Sequence, residues 1–344
     1  MLNLVSDIPS QWKAFKPADA ITVQATHDSV RQKRDGRSQP YHDVRGVDLS
    51  KFTAQQTDSA LTLVSSHGET KITVREHAFS QLCTQLGAPA RYLRQLPTET
   101  ALQCLNHGLR KYEGTPRTLR MAGSSVRAIV SDRYAELDDV PALHMLAEAC
   151  GGRELFLAGF GQSVGTTVCR FVSPKLFDGP DGHPLQIGLD FKNSEVGNHS
   201  VSLRSVIFRQ VCTNGLVVEY GKSQASKWRH IGNTERLQDA FASMVPVVLS
   251  GAEEALYRAA ASHGLILSVA EARARVAALQ LTEGQQELSL TAALSEAGLA
   301  ANAADDAKIT GWHLINGMTA SARDLEPAER VFVEAQAGRI LAAA

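Results

Sequence analysis

The sequence predicts an α+β protein: an antiparallel β-meander sheet with packed helices, followed by an alanine-rich helical C-terminal region. Three observations carry this. Alternating strand patterns between residues 155 and 209 are separated by turns too short for crossover helices, so neighbouring strands run antiparallel. Helix-period apolar stripes precede them between residues 76 and 109. From Thr234 onward the pattern is helical and rich in alanine.

Taken in order, residues 1–50 read as loosely organised. Arg31–Gly46 (RQKRDGRSQPYHDVRG) is polar and basic, and its Gly and Pro disfavour a continuous helix. It reads as a loop, an arm, or an edge strand followed by a turn. Leu61–Val64 and Lys71–Val74 bracket SSHGET as a short hairpin. Glu76–Leu86 carries apolar residues on one helical face, and Gly87 and Pro89 break it. Pro89–Leu96 and Thr98–Leu109 read as two more helices, with Thr98 as the N-cap of the second. Thr118–Met121 and Val126–Val130 flank AGSS as a hairpin. Asp138 or Asp139 then caps a helix that Gly151 ends. Leu155–Phe160, Val164–Val172, Leu185–Asn193 and His199–Arg209 read as strands. Helices over Ala252–His263, Val269–Leu281, Glu287–Ala297, Trp312–Ala320 and Pro327–Leu341 follow an apolar stripe from Leu237 to Val248, and Gly298 stops the third of them. The expected division is an N-terminal arm or partial strand region (1–60), an α+β core with an antiparallel sheet (61–233) and a helical C-terminal region (234–344).

The chain has 344 residues, 44% hydrophobic and 21% charged, as expected of a soluble globular protein. A formal net charge of −1 rules out a polyanion binder driven by bulk charge. The charge is nevertheless segregated. Residues 235–344 hold 14 acidic and 8 basic side chains, which from totals of 36 and 35 leaves 22 acidic and 27 basic in residues 1–234. A basic front and an acidic tail suit a polyanion-binding domain followed by a solvated or regulatory helical segment. Five widely spaced cysteines without a CxxC pair fit reduced thiols in a cytoplasmic protein. No leader and no membrane span are expected.

ITVREHAFSQLCTQLGAPARYLRQLP, VRAIVSDRYAELDDVPAL, NSEVGNHSVSLRSVIFRQVCTNGL and WHLINGMTASARDLEP, in that order and spacing, resemble the domain-of-unknown-function 932 family of phage- and plasmid-borne proteins. The resemblance spans roughly residues 70–325. It implies a setting on mobile genetic elements, where recombination, replication and defence evasion are common roles. The order of hairpin, helix and antiparallel strands is similar to that of phage single-strand annealing proteins, an analogy of fold only.

Two constellations suggest nucleic-acid contact. In the first, Arg117, Arg120, Arg127 and Arg133 lie on or beside a hairpin, with Tyr134 next to them. Guanidinium forks along a strand can grip successive phosphates, and a tyrosine offers a stacking face. The rival reading pairs these arginines with Asp132, Glu136, Asp138 and Asp139. In the second, Arg204, Arg209, Lys222, Lys227 and Arg229 alternate with Tyr220 and Trp228, near His230. Cations interleaved with aromatics suit single strands; the rival reading makes Trp228 a core anchor. Two turns are weaker candidates. In Asn193–His199, Ser194, Asn198 and His199 are hydrogen-bond donors, although Gly197 and Asn198 are also what a tight turn requires. Cys212–Gly215 offers a thiol with no assured base.

Scattered histidines and the absence of GxGxxG or GxxxxGK[ST] give no expected metal or cofactor. The expected function is therefore single-stranded nucleic-acid binding, with strand annealing in recombination, rather than enzymatic. The expected partners are single-stranded DNA, further copies of the chain, and a protein docked on the acidic helical tail. The alternatives are an inhibitor of a host defence or replication factor, and a metal-dependent nuclease built from Asp132, Glu136, Asp190 and Glu195.

Overall fold

A computed structural model describes residues 22–35, 41–58, 60–163, 165–209, 215–218, 227–231 and 235–342. The α+β class holds: there are two antiparallel-rich sheets, and a helical C-terminal region packs onto the second.

The first sheet has the order β1-β5-β6-β4-β3-β2, from β1 (Tyr41–Val47), β2 (Phe52–Thr57), β3 (Ala60–Ser65), β4 (Lys71–Val74), β5 (Arg117–Ala122) and β6 (Ser125–Ser131). All its neighbours pair antiparallel except β4 and β6. Leu63, Ile72, Leu119 and Ile129 form a core with Leu82 of α2 (Glu76–Gln85) and Leu105 and Leu109 of α4 (Thr98–Arg110). Between those helices lies one turn, α3 (Ala90–Leu93).

Three expectations change here. Residues 23–35 are not loose but form a helix, α1 (Val23–Asp35), while β1 is an edge of the sheet against β5, the edge-strand alternative for that stretch. The expected boundary at residue 60 falls inside the β2–β3 hairpin, where Thr57 pairs with Ala60. Thr98 does not cap α4; Pro97 holds the N-cap position, and no side chain bonds the free amides.

The second sheet is the expected meander. Its order is β11-β10-β9-β8-β7, from β7 (Phe156–Ser163), β8 (Thr166–Val172), β9 (Leu185–Asn193), β10 (Val201–Arg209) and β11 (Gly215–Val218). A short β12 (Lys227–Trp228) pairs with the start of β10. The period-2 alternation separates two faces. On one, Phe171, Leu189, Phe191 and Leu203 pack against α5 (Asp139–Cys150) and α6 (Glu235–Gly264), with the Phe191 and Phe241 rings edge to face at 6.4 Å. The other face carries Arg170, Asp190, Lys192 and Arg204 and meets α10 (Pro327–Ala342).

The C-terminal region is not a separate appendage. Leu185, Ile187 and Ile207 of the sheet share a core with residues of α7 (Val269–Ala277), α8 (Glu283–Glu296), α9 (Gly311–Ser321) and α10. The stripe at Leu237–Val248 and the expected helix at Ala252–His263 form one helix, α6, with Pro246 inside it. A two-stranded ribbon, β13 (Ile266–Ser268) with β14 (Lys308–Thr310), was not anticipated from the sequence. α7, α8 and α9 each start with a reciprocal capping box, at Ser268/Glu271, Thr282/Gln285 and Thr310/His313. Among the described residues no helix is long and apolar enough to cross a membrane.

α8 and α9 approach backbone to backbone at Gly317, where a Cβ would come within 2.2 Å of the Ala293 nitrogen. Gly317→Ala is therefore expected to force the helices apart and lower stability by about 1–3 kcal/mol, read as a lower urea midpoint with an unchanged slope.

Candidate functional site

The two sheets meet at a buried polar joint centred on Glu195, just beyond the end of β9. Its Oε2 accepts from Arg127 Nη2 at 2.6 Å, its Oε1 accepts from the Asp139 amide at 3.1 Å, and its carbonyl accepts from Arg120 Nη1. The register of β5 against β6 slips beside Arg127, with Arg120 opposite Ala128 but Met121 opposite Val126. Arg127 is thus the extra residue of a bulge, a device that re-aims side chains. Arg120 also bonds Asp138 at 2.7 Å and its cross-strand neighbour Asp43 at 3.1 Å, with Glu136 at 3.4 Å. Burial alone would lower its pKa; Asp138 and Asp43 more than offset that and raise it. The Arg127 guanidinium lies 3.5 Å from the Tyr41 ring centroid.

Asp138 therefore spends its carboxylate on Arg120 and makes no side-chain cap, although it holds the N-cap position of α5. Asp139 is buried and accepts from Thr167 Oγ1 at 2.6 Å and Asn193 Nδ2 at 2.8 Å. Burial, then the Glu195 charge, pushes its pKa up to about 6. The Tyr134 ring stacks on His230 at 5.0 Å, and Arg120 sits 5.4 Å from it. Burial raises the Tyr134 pKa to about 12 and lowers that of His230 to about 4. His230 Nδ1 donates to the Ala135 carbonyl at 3.3 Å, so the neutral ring carries its proton there.

The turn after Glu195 leaves this joint and opens onto solvent. Ser194 Oγ donates to the Gly165 carbonyl and accepts from the Asn198 amide at 3.0 Å, and Gln81 Nε2 donates to the Val196 carbonyl at 2.9 Å. Gly197 adopts a φ of 79°, with Val130 and Tyr134 packed around its α-carbon. Of the three donors expected on this turn, Ser194 is consumed internally, while Asn198 and His199 are exposed.

Those two residues stand between two clefts. One, about 460 Å³, runs between the charged face of the second sheet and α10, lined by Lys192, His199, Arg204, Phe332 and Arg339 among others. No carboxylate is among its lining residues. Partial burial, and after it the nearby Lys192 and Arg204 cations, lowers the His199 pKa. Phe332 is 41% exposed beside these cations. Beneath the cleft, Arg170, Asp190 and Arg204 stand directly opposite one another on β8, β9 and β10. Arg170 in turn holds the buried Glu334 of α10 through both guanidinium arms, at 3.2 and 2.5 Å. The second cleft, about 440 Å³, lies on the other side of the turn and includes Arg229 and His230.

The sequence-predicted cations do not form one track. Arg120 and Arg127 do converge, but on Glu195 inside the joint, so they are unavailable to phosphates. Tyr134 is buried with them. Arg117 donates from Nε to the Tyr112 hydroxyl at 2.9 Å, and Arg133 is exposed on the turn after β6. Arg209 is taken up by Asp181 at 2.6 Å and Glu296 at 3.0 Å. Trp228 is partly buried and packs against the second sheet's core, as its rival reading held. Lys227 stands opposite Ser202, at the cleft edge, by its backbone register. Arg204 and Arg229 face the two clefts. Lys222, Tyr220 and Cys212 lie outside the described residues. The four acids of the nuclease alternative are dispersed: Glu136 and Glu195 serve Arg120 and Arg127, Asp190 serves Arg170, and Asp132 accepts from the Gly46 amide. Among the described residues no cluster of His, Cys, Asp or Glu is disposed to hold a metal ion.

Lys192, Phe332 and Arg339 were not singled out from the sequence. A usable signal existed: Phe332, Gln336 and Arg339 recur at i, i+4 and i+7 on α10, a single helical face of aromatic, amide and cation.

Fold and clefts together define a two-sheet α+β protein with a cleft on each side of the turn after β9, one of them lined by Lys192, Arg204 and Arg339. Residues 128–331, which include that sheet and most of the C-terminal helices, match the family described as a domain of unknown function (DUF932). The chain belongs to this family. No curated protein and no solved structure matches it.

The joint yields two predictions. Arg120→Ala strands Asp138 and Asp43 as buried charges, and is expected to cost about 3–5 kcal/mol in a denaturation measurement. His230 takes up a proton near pH 6.5 when unfolded but only near pH 4 when folded. Its contribution therefore weakens the fold as pH falls from 6.5 to 4, by up to about 3 kcal/mol. Asp139 acts with the opposite sign, favouring the fold at low pH and losing that contribution as pH rises through about 6. His230→Phe should flatten the acid limb of stability against pH, and an unchanged limb would contradict the assignment.

Proposed function

We propose that the chain binds single-stranded nucleic acid in the cleft between the second sheet and α10. The observation that carries this reading is a groove lined by Lys192, His199, Arg204 and Arg339, without a lining carboxylate, beside the exposed ring of Phe332. Phosphates want the cations, and an unstacked base wants the ring. Duplex DNA is a poorer fit, because its bases are already stacked and cannot use Phe332. The bulk charge of the chain contributes little, so binding depends on this local field.

Strand annealing is the finer reading, drawn from the resemblance to phage annealing proteins. It requires the backbone to be held while most bases remain available to a second strand. A quenched-fluorophore assay with complementary oligonucleotides tests it separately from binding. Assembly of several copies along a strand would appear in the same titrations as cooperative binding.

Anisotropy of a labelled single strand at low ionic strength tests the binding itself. Affinity is expected to fall linearly with salt on a log–log scale. In the exposed-cation variant Arg339→Ala the slope should shrink by about 0.7 for the phosphate no longer neutralised. Affinity should also rise as pH falls below 6.5, since a bound phosphate favours the charged form of His199. A folded wild-type chain that leaves the strand unbound at low salt sinks the reading.

A further inference from the structure

The second cleft differs from the first in chemistry. It is walled by Val130 and Ile231 and edged by Gln85, Ser131 and Asn198, and no carboxylate lines it. Arg229, at its border, is exposed, and His230 in its floor is a neutral imidazole. With Nδ1 committed to Ala135, the buried Nε2 of His230 is left as an acceptor that has no hydrogen-bond partner among the described residues. Apolar walls with neutral donors and acceptors suit an uncharged polar ring and offer little to a phosphate. The two clefts share Asn198, His199 and Ser200. A strand whose backbone lies in the cationic groove therefore passes the mouth of the neutral one.

We propose that the neutral cleft receives one nucleobase turned out of that strand, between the apolar walls and over the Tyr134–His230 pair, with base N–H groups as the donors it recognises. This rests on the groove reading above and goes beyond it. It turns a non-specific phosphate grip into a site that distinguishes a base-bearing strand from a bare sugar–phosphate chain. One base would then be fixed while the rest of the strand stays free.

The test compares the full chain's affinity for oligothymidine of about 20 nucleotides, longer than the usual footprint of a single-strand-binding fold, with its affinity for an abasic strand of equal length. The wild type is expected to favour the base-bearing strand by about tenfold, the scale of one base contact. Phe332→Ala, which removes the ring of the other cleft, should keep most of that preference. Gln85→Trp fills the neutral cleft from its rim, and Ser131→Trp does so from an exposed position should the first variant fold poorly. In the Phe332→Ala background each should abolish the preference that remains, while leaving the salt slope intact. Equal wild-type affinity for both strands overturns the base site and leaves the groove standing. So does a preference that survives both tryptophan variants, or one that disappears with Phe332→Ala alone. A wild type that binds neither strand retires the groove and the base site together.

Discussion

The contacts of Glu195 determine how the rest of the molecule is arranged. One residue takes Arg127 and Arg120 from the first sheet and the first amide of α5 from beneath the second. The turn it begins is then held by Ser194, Gln81 and the Tyr134 hydroxyl, which donates to the Ser194 carbonyl at 3.1 Å. Asn198 and His199 emerge from that turn at a fixed place between two clefts. Were the joint apolar, the sheets would still associate, but in several orientations of similar energy. Charged groups with few acceptable partners select one. Buried ion pairs add little net stability and lose much when one partner is removed. The joint is therefore better understood as fixing orientation than as adding stability.

The same logic recurs across the second sheet. Arg170 is buried between Asp190 beside it and Glu334 above it, so α10 can dock in one register only. That register places Phe332 and Arg339 over Arg204 and Lys192. The cleft's positive character thus depends on carboxylates hidden beneath it. They hold one arginine down and leave the rim to the cations. The acidic bias of the C-terminal segment misleads in this respect: Glu334 and Glu296 both serve arginines of the second sheet, and α10 contributes a cation to the groove.

Much of the fold was legible in the sequence because it is set by local pattern. The stripe at Glu76–Gln85 reports the burial of one helical face, and alternation from Val201 to Arg209 reports a strand, although both of that strand's faces are covered. The site was less legible because its charges are paired over long distances. Arg120 pairs with Asp138 and Glu136, as its rival reading held, but also with Asp43, 77 residues away, and Glu195, 75 away, which no local pattern announces. Arg170 and Glu334 are separated by 164 positions. A charged residue in a strand carries no local sign of whether its face will meet solvent or another element. Arg204 and Arg229, seen from the sequence, line the clefts, although Arg204 is only 10% exposed and has Asp190 3.9 Å away; Arg120, Arg127 and Arg209 are held by carboxylates away from both clefts.

The β9–β10 turn decides where this charged face meets solvent. On β9 and β10, Asp190 and Arg204 lie opposite each other, and one step toward the turn Lys192 faces Ser202. Both of the latter are still buried, because α10 runs on past them: Phe332 and Arg339 line one cleft together with His199 and Ser200. The sheet's cations therefore reach solvent only at the rim of that cleft. There the turn carries Asn198 and His199 out, between it and the cleft floored by Tyr134 and His230.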